Sequence, residues 1–131
     1  LPAVELAEAQ AAGGGGAWAY RFDLPAPRLP RLVGSCHGID LGPVFGTYRH
    51  PLLRPLYGDG PRIRRLSEEL AAAWTQFATG GGPSWSAGPA WSRWDPLART
   101  TLVFDAPCRI VAGPRLEHRA IWGRPSAPRT R

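Results

Sequence analysis

Ser35, Cys36 and His37 stand side by side in the stretch GSCHGIDLGPVFG at residues 34–46, and all three are residue types that take part in catalysis. A serine or cysteine beside a base is the arrangement of nucleophilic catalysis. Adjacent residues project in different directions, however, and nucleophile–base pairs normally join residues that are distant in sequence. The sequence therefore does not favour a self-contained Cys36–His37 pair.

Neither a nucleophilic serine nor a zinc ion fits the spacing of the reactive residues. A hydrolase serine lies in a strand–turn–helix elbow with the pattern G-x-S-x-G, which occurs nowhere in the 131 residues. No cysteine or histidine pair has the spacing of zinc ligands. These residues are Cys36, His37, His50, Cys108 and His118. The spacing therefore does not favour a zinc site. We predict two free thiols, since two cysteines are too few to indicate a disulfide framework.

His37 is the remaining candidate. A single histidine is most often structural or simply exposed, and the residue pattern alone favours that interpretation. This histidine nevertheless follows a predicted strand, stands next to Gly38 and precedes Asp40 by three residues. Loops that follow strands are where α/β proteins place catalytic groups. His37 is therefore a candidate catalytic residue.

The elements before this stretch are a helix and a strand. Residues 3–12 are rich in helix formers and are followed by four glycines. Aromatic residues then alternate with other residues in AWAYRFDL (17–24), the period of a strand with one aromatic face. Prolines after this segment end the strand and open the loop that contains His37. The loop that contains His37 therefore follows this strand directly.

The elements after it are dominated by one long helix. Gly60-Pro61 starts a helix over residues 61–79, in which the spacing predicts burial of Leu66, Leu70, Trp74 and Phe77. TTLVF (100–104) and RIVAG (109–113) are predicted strands, and residues 114–122 are a predicted short helix. Two or three strands cannot form a complete parallel sheet with both faces covered. The pattern predicts an α/β protein with an incomplete sheet, flanking helices and more aromatic surface than the chain can bury alone.

The composition excludes several classes of function. All sixteen basic residues are arginines, scattered along a chain of net charge +6, which favours a solvated surface over a nucleic-acid interface. No apolar run is long enough to span a membrane, and the start does not resemble a signal peptide, so we expect a soluble protein, cytoplasmic or secreted. The chain has no methionine and begins with Leu1, so we expect it to be a piece of a longer gene product.

Several segments together resemble the C-terminal portion of type-B carboxylesterases, a family that includes bacterial para-nitrobenzyl-type esterases and the cholinesterases. These segments are LAEAQ, YRFD, GSCHGIDLGPVFG, LSEELAAAWTQFATGG, WSRWDP, TLVFD and RAIW. The most specific part of the match to the family is His37-Gly38, followed by an acid at the third position after the histidine (Asp40) and then by VFG (44–46). Two positions depart from the family pattern: Gly42-Pro43 replaces a proline followed by an aromatic residue, and Gly81-Gly82-Pro83 replaces Gly-Asp-Pro.

The resemblance implies a fold and an activity. Residues 1–124 would be the C-terminal part of an α/β-hydrolase fold, and residues 125–131 a disordered Arg/Pro tail. His37 matches the catalytic base of a Ser-Glu/Asp-His triad, and Asp40 matches an acidic position that is not the triad acid. The nucleophile and the acid precede the histidine in the family order, so both would lie in a missing N-terminal part of the same enzyme.

The function implied is hydrolysis of small carboxylic esters by the complete enzyme, without metal or organic cofactor, while the fragment alone is expected to be inactive. One alternative is a catalytically silent, cholinesterase-like binding module. A nucleic-acid binder is a more distant alternative. A G-x-S-x-G motif upstream distinguishes the enzyme from the silent module, and a steep salt dependence of DNA binding would support the third interpretation.

Overall fold

The computed structural model describes residues 2–26, 29–86 and 88–114. The elements in chain order are helix α1 (Pro2–Ala12), strand β1 (Ala19–Phe22), helix α2 (Leu41–Val44), a 3-10 turn (Thr47–Arg49), helix α3 (Arg54–Tyr57), helix α4 (Pro61–Gly80), strand β2 (Thr100–Phe104) and strand β3 (Arg109–Ala112). Both longer helices and all three strands occur where the sequence predicts them. The predicted helix at 114–122 and the tail at 125–131 lie, apart from Pro114, outside the described residues.

The three strands form one mixed sheet in the order β1–β2–β3. β1 runs parallel to β2, with Tyr20 opposite Leu102 and Phe22 opposite Phe104. β2 and β3 are antiparallel. A parallel pair needs a crossover connection, and here residues 23–99 supply it with α2, α3 and α4. The loop that contains His37 is the first part of this crossover and therefore leaves the sheet at the carboxyl end of β1.

Helix α4 begins and ends at the signals in its sequence, but only part of the predicted stripe is buried. Pro61 is its first residue, and Gly81 ends it with a φ of 75°. Its buried residues are Ile63, Ser67, Leu70 and Ala73. The predicted stripe was 66, 70, 74 and 77, of which only Leu70 is fully buried and Leu66 is half-buried. At about 100° per residue, the buried and the predicted residues lie on the same face of the helix. The difference is in how far burial extends: it ends at Ala73, before Trp74 and Phe77.

The prediction that Trp74 and Phe77 are buried is wrong, since they are 40% and 41% exposed. Their rings pack edge to face on each other and on Tyr20 and Trp18 respectively, at centroid separations of 5.7–6.3 Å. The four-residue strand β1 covers only one side of them. The chain therefore displays a half-covered aromatic surface along the C-terminal half of α4, in agreement with the expectation from composition.

In the part of the chain that the structure describes, two core clusters meet between the sheet and α4. One joins α2, α4 and β2 through Val44, Leu70, Leu102 and Phe104. The other joins the His37 loop to α3 and the start of α4, and its buried residues are Ala26, Ile39, Tyr48, Tyr57 and Ile63. Phe22 and Leu66 pack against both clusters. The second cluster therefore gives the loop a rigid base.

Cys36 is exposed, Cys108 is half-buried, and both are free thiols. Within the described ranges, no three metal-ligating side chains lie close enough to hold an ion. None of the helices in this part of the chain is long and apolar enough to cross a membrane.

Candidate active site

His37 lies at the tip of the loop between β1 and α2, where it is exposed together with Ser35 and Cys36. Gly34 and Gly38 flank these residues with φ values of 58° and 74°, a left-handed conformation that glycine adopts without steric cost. The imidazole of His37 has no hydrogen-bond partner among the described residues. The ring is therefore free to act on a group that approaches from outside the loop.

The first half of the loop is tied to the end of β1. The Ser35 hydroxyl donates a hydrogen bond to the Phe22 carbonyl oxygen, with an Oγ–O distance of 2.5 Å. The Ala26 N–H donates to the Gly34 carbonyl oxygen at 2.8 Å. These bonds hold the chain entering His37 against the strand. They also explain Ser35 as a residue whose hydroxyl is used by the fold.

The second half of the loop is held by Tyr57 of α3. The Tyr57 hydroxyl donates to the Ile39 carbonyl oxygen at 2.8 Å, and both residues are almost completely buried. Burial raises the pKa of Tyr57, since an ionised phenol is poorly solvated there, so the hydroxyl stays protonated and remains a donor. The hydrogen bond fixes the backbone two residues after His37.

Gly42 makes room for this tyrosine. A Cβ atom at position 42 would lie 2.5 Å from the Cζ atom of the Tyr57 ring, closer than real Cβ contacts allow. The departure from the family pattern at Gly42-Pro43 thus has a local reason. The ring lies where a side chain at position 42 would otherwise project.

Asp40 ends the loop and forms the third attachment. Its Oδ2 atom accepts a hydrogen bond from the Tyr20 hydroxyl at 2.5 Å. Asp40 is also the N-cap residue of α2, but its carboxylate makes no capping hydrogen bond to that helix. The pKa of Tyr20 is raised well above that of a free phenol, chiefly by burial and further by the hydrogen bond to Asp40. Tyr20 therefore donates to Asp40 at any physiological pH.

Helix α2 is anchored to α4 by a buried hydrogen bond. The Ser67 hydroxyl donates to the Pro43 carbonyl oxygen at 2.7 Å. The same carbonyl oxygen also accepts the Gly46 N–H at 3.3 Å. Ser67 therefore adds a second, shorter hydrogen bond, from the middle of α4. The loop thus rests on a platform that is fixed to the longest helix of the chain.

The structure brings His37 and Asp40 into one loop and leaves the other reactive residues apart from a common site. His50 is exposed after the 3-10 turn, where its Nδ1 atom accepts the Leu52 N–H at 3.3 Å. Cys108 lies beyond β2, and its thiol donates to the Asp105 carbonyl oxygen. His118 lies outside the described residues. The hydrogen bonds that hold the His37 loop therefore do not involve His50 or Cys108.

The residues that hold the loop were not identified from the sequence. The sequence indicates Tyr20 only as part of an aromatic strand face, and its patterns give no role to Tyr57 or Ser67. Their partners are 20, 18 and 24 residues away along the chain. The only local signal was a serine on the predicted buried side of α4, which indicates a hydroxyl with a partner.

The sequence matches the model of the carboxylesterase family over residues 1–122, and the chain belongs to this family. Its similarity to curated members includes 31% identity over 118 residues to the para-nitrobenzyl esterase of Bacillus subtilis (strain 168), covering 90% of this chain. It is also 36% identical over 81 residues to the bile salt-activated lipase of Mus musculus, covering 60% of this chain. The chain spans only 24% and 13% of the lengths of these two relatives.

Solved structures show the same relationship. A carboxylesterase from Geobacillus stearothermophilus superimposes with a TM-score of 0.74 at 30% identity, covering 89% of this chain and 24% of that one. A PNB esterase superimposes with a TM-score of 0.70 at 29% identity, covering 83% of this chain and 22% of that one. The mixed sheet with its helices is thus similar to part of the α/β-hydrolase fold that these esterases have.

Proposed function

We propose that this chain supplies the catalytic base, His37, of a serine carboxylesterase whose nucleophile and triad acid lie on polypeptide outside these 131 residues. The observation that carries the proposal is an exposed histidine on a loop that is tied down on both sides of it, by Ser35 and by Tyr57, while its own ring is left free. Membership of the carboxylesterase family supports the reaction class.

The proposed chemistry is acyl transfer through a covalent intermediate. His37 would accept the proton of the serine hydroxyl as the serine oxygen attacks the ester carbonyl carbon, and would then protonate the departing alcohol oxygen. In the second half, His37 would accept a proton from water as that water attacks the acyl-enzyme. The carboxylic acid then leaves, and the proton on His37 returns to the serine oxygen. No redox partner takes part.

The substrates proposed are small carboxylic esters. The relatives' names refer to para-nitrobenzyl esters and to lipids, and both are carboxylic ester chemistry. The nucleophile must come from elsewhere, because no serine of this sequence stands in a G-x-S-x-G motif. We accordingly expect the chain by itself to be inactive on aryl esters. The remainder of the enzyme is the partner proposed for it.

The test compares histidine variants in the complete enzyme. With para-nitrophenyl acetate as substrate, His37→Ala should lower kcat by at least a thousandfold, because an unactivated serine is a weak nucleophile. His50→Ala is the matched control: it removes an exposed imidazole outside the loop and should retain a near-normal rate. Circular dichroism spectra and melting temperatures must agree among the variants, so that misfolding is not mistaken for lost chemistry.

Two results would contradict the proposal. If His37→Ala retained its rate while His50→Ala lost it, the base would have been assigned to the wrong loop. If the gene encoding this chain carried no G-x-S-x-G motif in any adjoining reading frame, the silent binding module would become the better interpretation.

A further inference from the structure

Tyr20 and Asp40 form a contact that joins the sheet to the segment carrying His37. Tyr20 is in the middle of β1, and its hydroxyl donates to Asp40 Oδ2 at 2.5 Å across twenty residues of sequence. Asp40 follows His37 by three residues and is half-buried. A displacement of Asp40 away from β1 would therefore move the backbone that sets the position of the histidine.

The tyrosine ring is held firmly enough to act as a fixed point. It packs edge to face against Trp74, Trp91 and Phe104, with centroid separations of 6.1, 5.7 and 5.5 Å. Its backbone is paired with Leu102 in the parallel ladder. Three perpendicular aromatic contacts and a strand leave the ring little freedom to rotate. The position of the hydroxyl is thus determined by the sheet and α4, independently of the loop.

The carboxylate of Asp40 is committed to this contact. Aspartate at an N-cap normally accepts a hydrogen bond from an N–H group in the first turn of its helix. Asp40 makes no such bond to α2, because its side chain is turned toward Tyr20. The local capping interaction has been replaced by one that spans two elements. Such an exchange has a function if the position of the loop matters more than the stability of a four-residue helix.

We propose that Tyr20 is a positioning residue for His37, which acts through the Asp40 carboxylate by holding the segment after the histidine against β1. The inference rests on the proposed function of His37, and it gives Tyr20 a role beyond its packing against the neighbouring aromatic rings. Removal of the hydroxyl should leave the aromatic packing intact and loosen the loop. A general base must be held within a fraction of an ångström of its working position, so the loss should fall on kcat and leave KM nearly unchanged.

The kinetic test is a double-mutant cycle in the complete enzyme, with para-nitrophenyl acetate as substrate. Tyr20→Phe should lower kcat about tenfold with KM within about twofold, and Asp40→Ala should give a similar loss. The double variant should be no slower than Asp40→Ala alone, because both substitutions break the same contact. Tyr48→Phe is the matched control. Tyr48 is also a buried tyrosine, but its hydroxyl has no partner among the described residues. The kcat of the Tyr48→Phe enzyme should therefore equal that of the unmodified enzyme.

A second measurement follows the loop directly in the complete enzyme. Hydrogen exchange monitored by mass spectrometry should rise in peptides covering residues 36–45 of Tyr20→Phe, and should stay unchanged in peptides from α4. In Tyr48→Phe, exchange should stay unchanged in both sets of peptides. Faster exchange throughout the Tyr20→Phe chain would mean that the hydroxyl serves folding in general, and would overturn the positioning role.

The outcomes separate this inference from the proposed function. If His37→Ala kept full activity, the proposed function would fail and the inference would fail with it. If His37→Ala were inactive while Tyr20→Phe kept its full kcat, only the positioning role would be overturned. The same conclusion would follow if the losses from Tyr20→Phe and Asp40→Ala multiplied to about a hundredfold, since the two residues would then act independently.

Discussion

Replacing Tyr57 by Phe removes one atom, the hydroxyl oxygen that holds the carbonyl group two residues after His37. The hydroxyl donates to Ile39 at 2.8 Å, and the two residues are only 5% and 3% exposed. The phenylalanine ring retains the packing against Gly42. The substitution therefore isolates the hydrogen bond from the rest of the side chain.

The magnitude follows from burial. A typical intramolecular hydrogen bond contributes about 0.5–1.5 kcal/mol net, but leaving a buried acceptor without a partner costs about 1–3 kcal/mol. We expect the free energy of unfolding to fall by about 2 kcal/mol. For a single domain whose total stability is on the order of 5–15 kcal/mol, such a loss is easily measured.

The measurement is urea denaturation followed by tryptophan fluorescence, with Tyr48→Phe as the control. Tyr48 is 3% exposed, and its hydroxyl has no partner within the described part of the chain, so the same chemical change should cost less than about 0.5 kcal/mol. The slope of the transition should be the same for both variants. Equal losses at the two positions would refute the reasoning, because the cost would then come from tyrosine burial and not from the bond to Ile39.

Two further predictions concern the core and the aromatic cluster. Leu70→Ala should lower the free energy of unfolding by about 2–5 kcal/mol, because Leu70 is completely buried between α2 and the sheet. The control is Leu97→Ala: this leucine is 95% exposed, and its loss should change the free energy of unfolding by less than about 0.5 kcal/mol. Similar urea midpoints for these two variants would place α4 outside the core. The pKa of Tyr20 is raised in the folded chain, so its contribution to stability depends on pH. The contribution is fully present below about pH 10, the pKa of a tyrosine in the unfolded chain. It is lost at higher pH, because the tyrosine of the unfolded chain ionises first and this favours unfolding. Urea unfolding between about pH 9 and 11 should therefore show a steeper loss of stability for the unmodified chain than for Tyr20→Phe, and parallel curves would contradict the assignment.

The sequence by itself determined the order and type of the main elements and the candidate base. Helix α4 is bounded by Gly60-Pro61 and Gly81, whose backbone preferences act locally. Strand β2 follows directly from a run of β-branched and aromatic residues. His37 was identified from the order of residues around it, a signal that needs no knowledge of contacts.

Only the tertiary structure decided how far along α4 burial extends and what holds the His37 loop. The periodicity of α4 indicates an apolar face, but burial of that face ends at Ala73. The Ser67 hydroxyl on this face donates to the Pro43 carbonyl oxygen, 24 residues away along the chain. Trp74 remained exposed because the short strand β1 does not extend over it. The hydroxyls of Tyr20 and Tyr57 meet partners many residues away, and no local preference encodes such a meeting. Propensity acts between near neighbours along the chain, whereas these hydrogen bonds exist only once the sheet, α3 and α4 have been packed together.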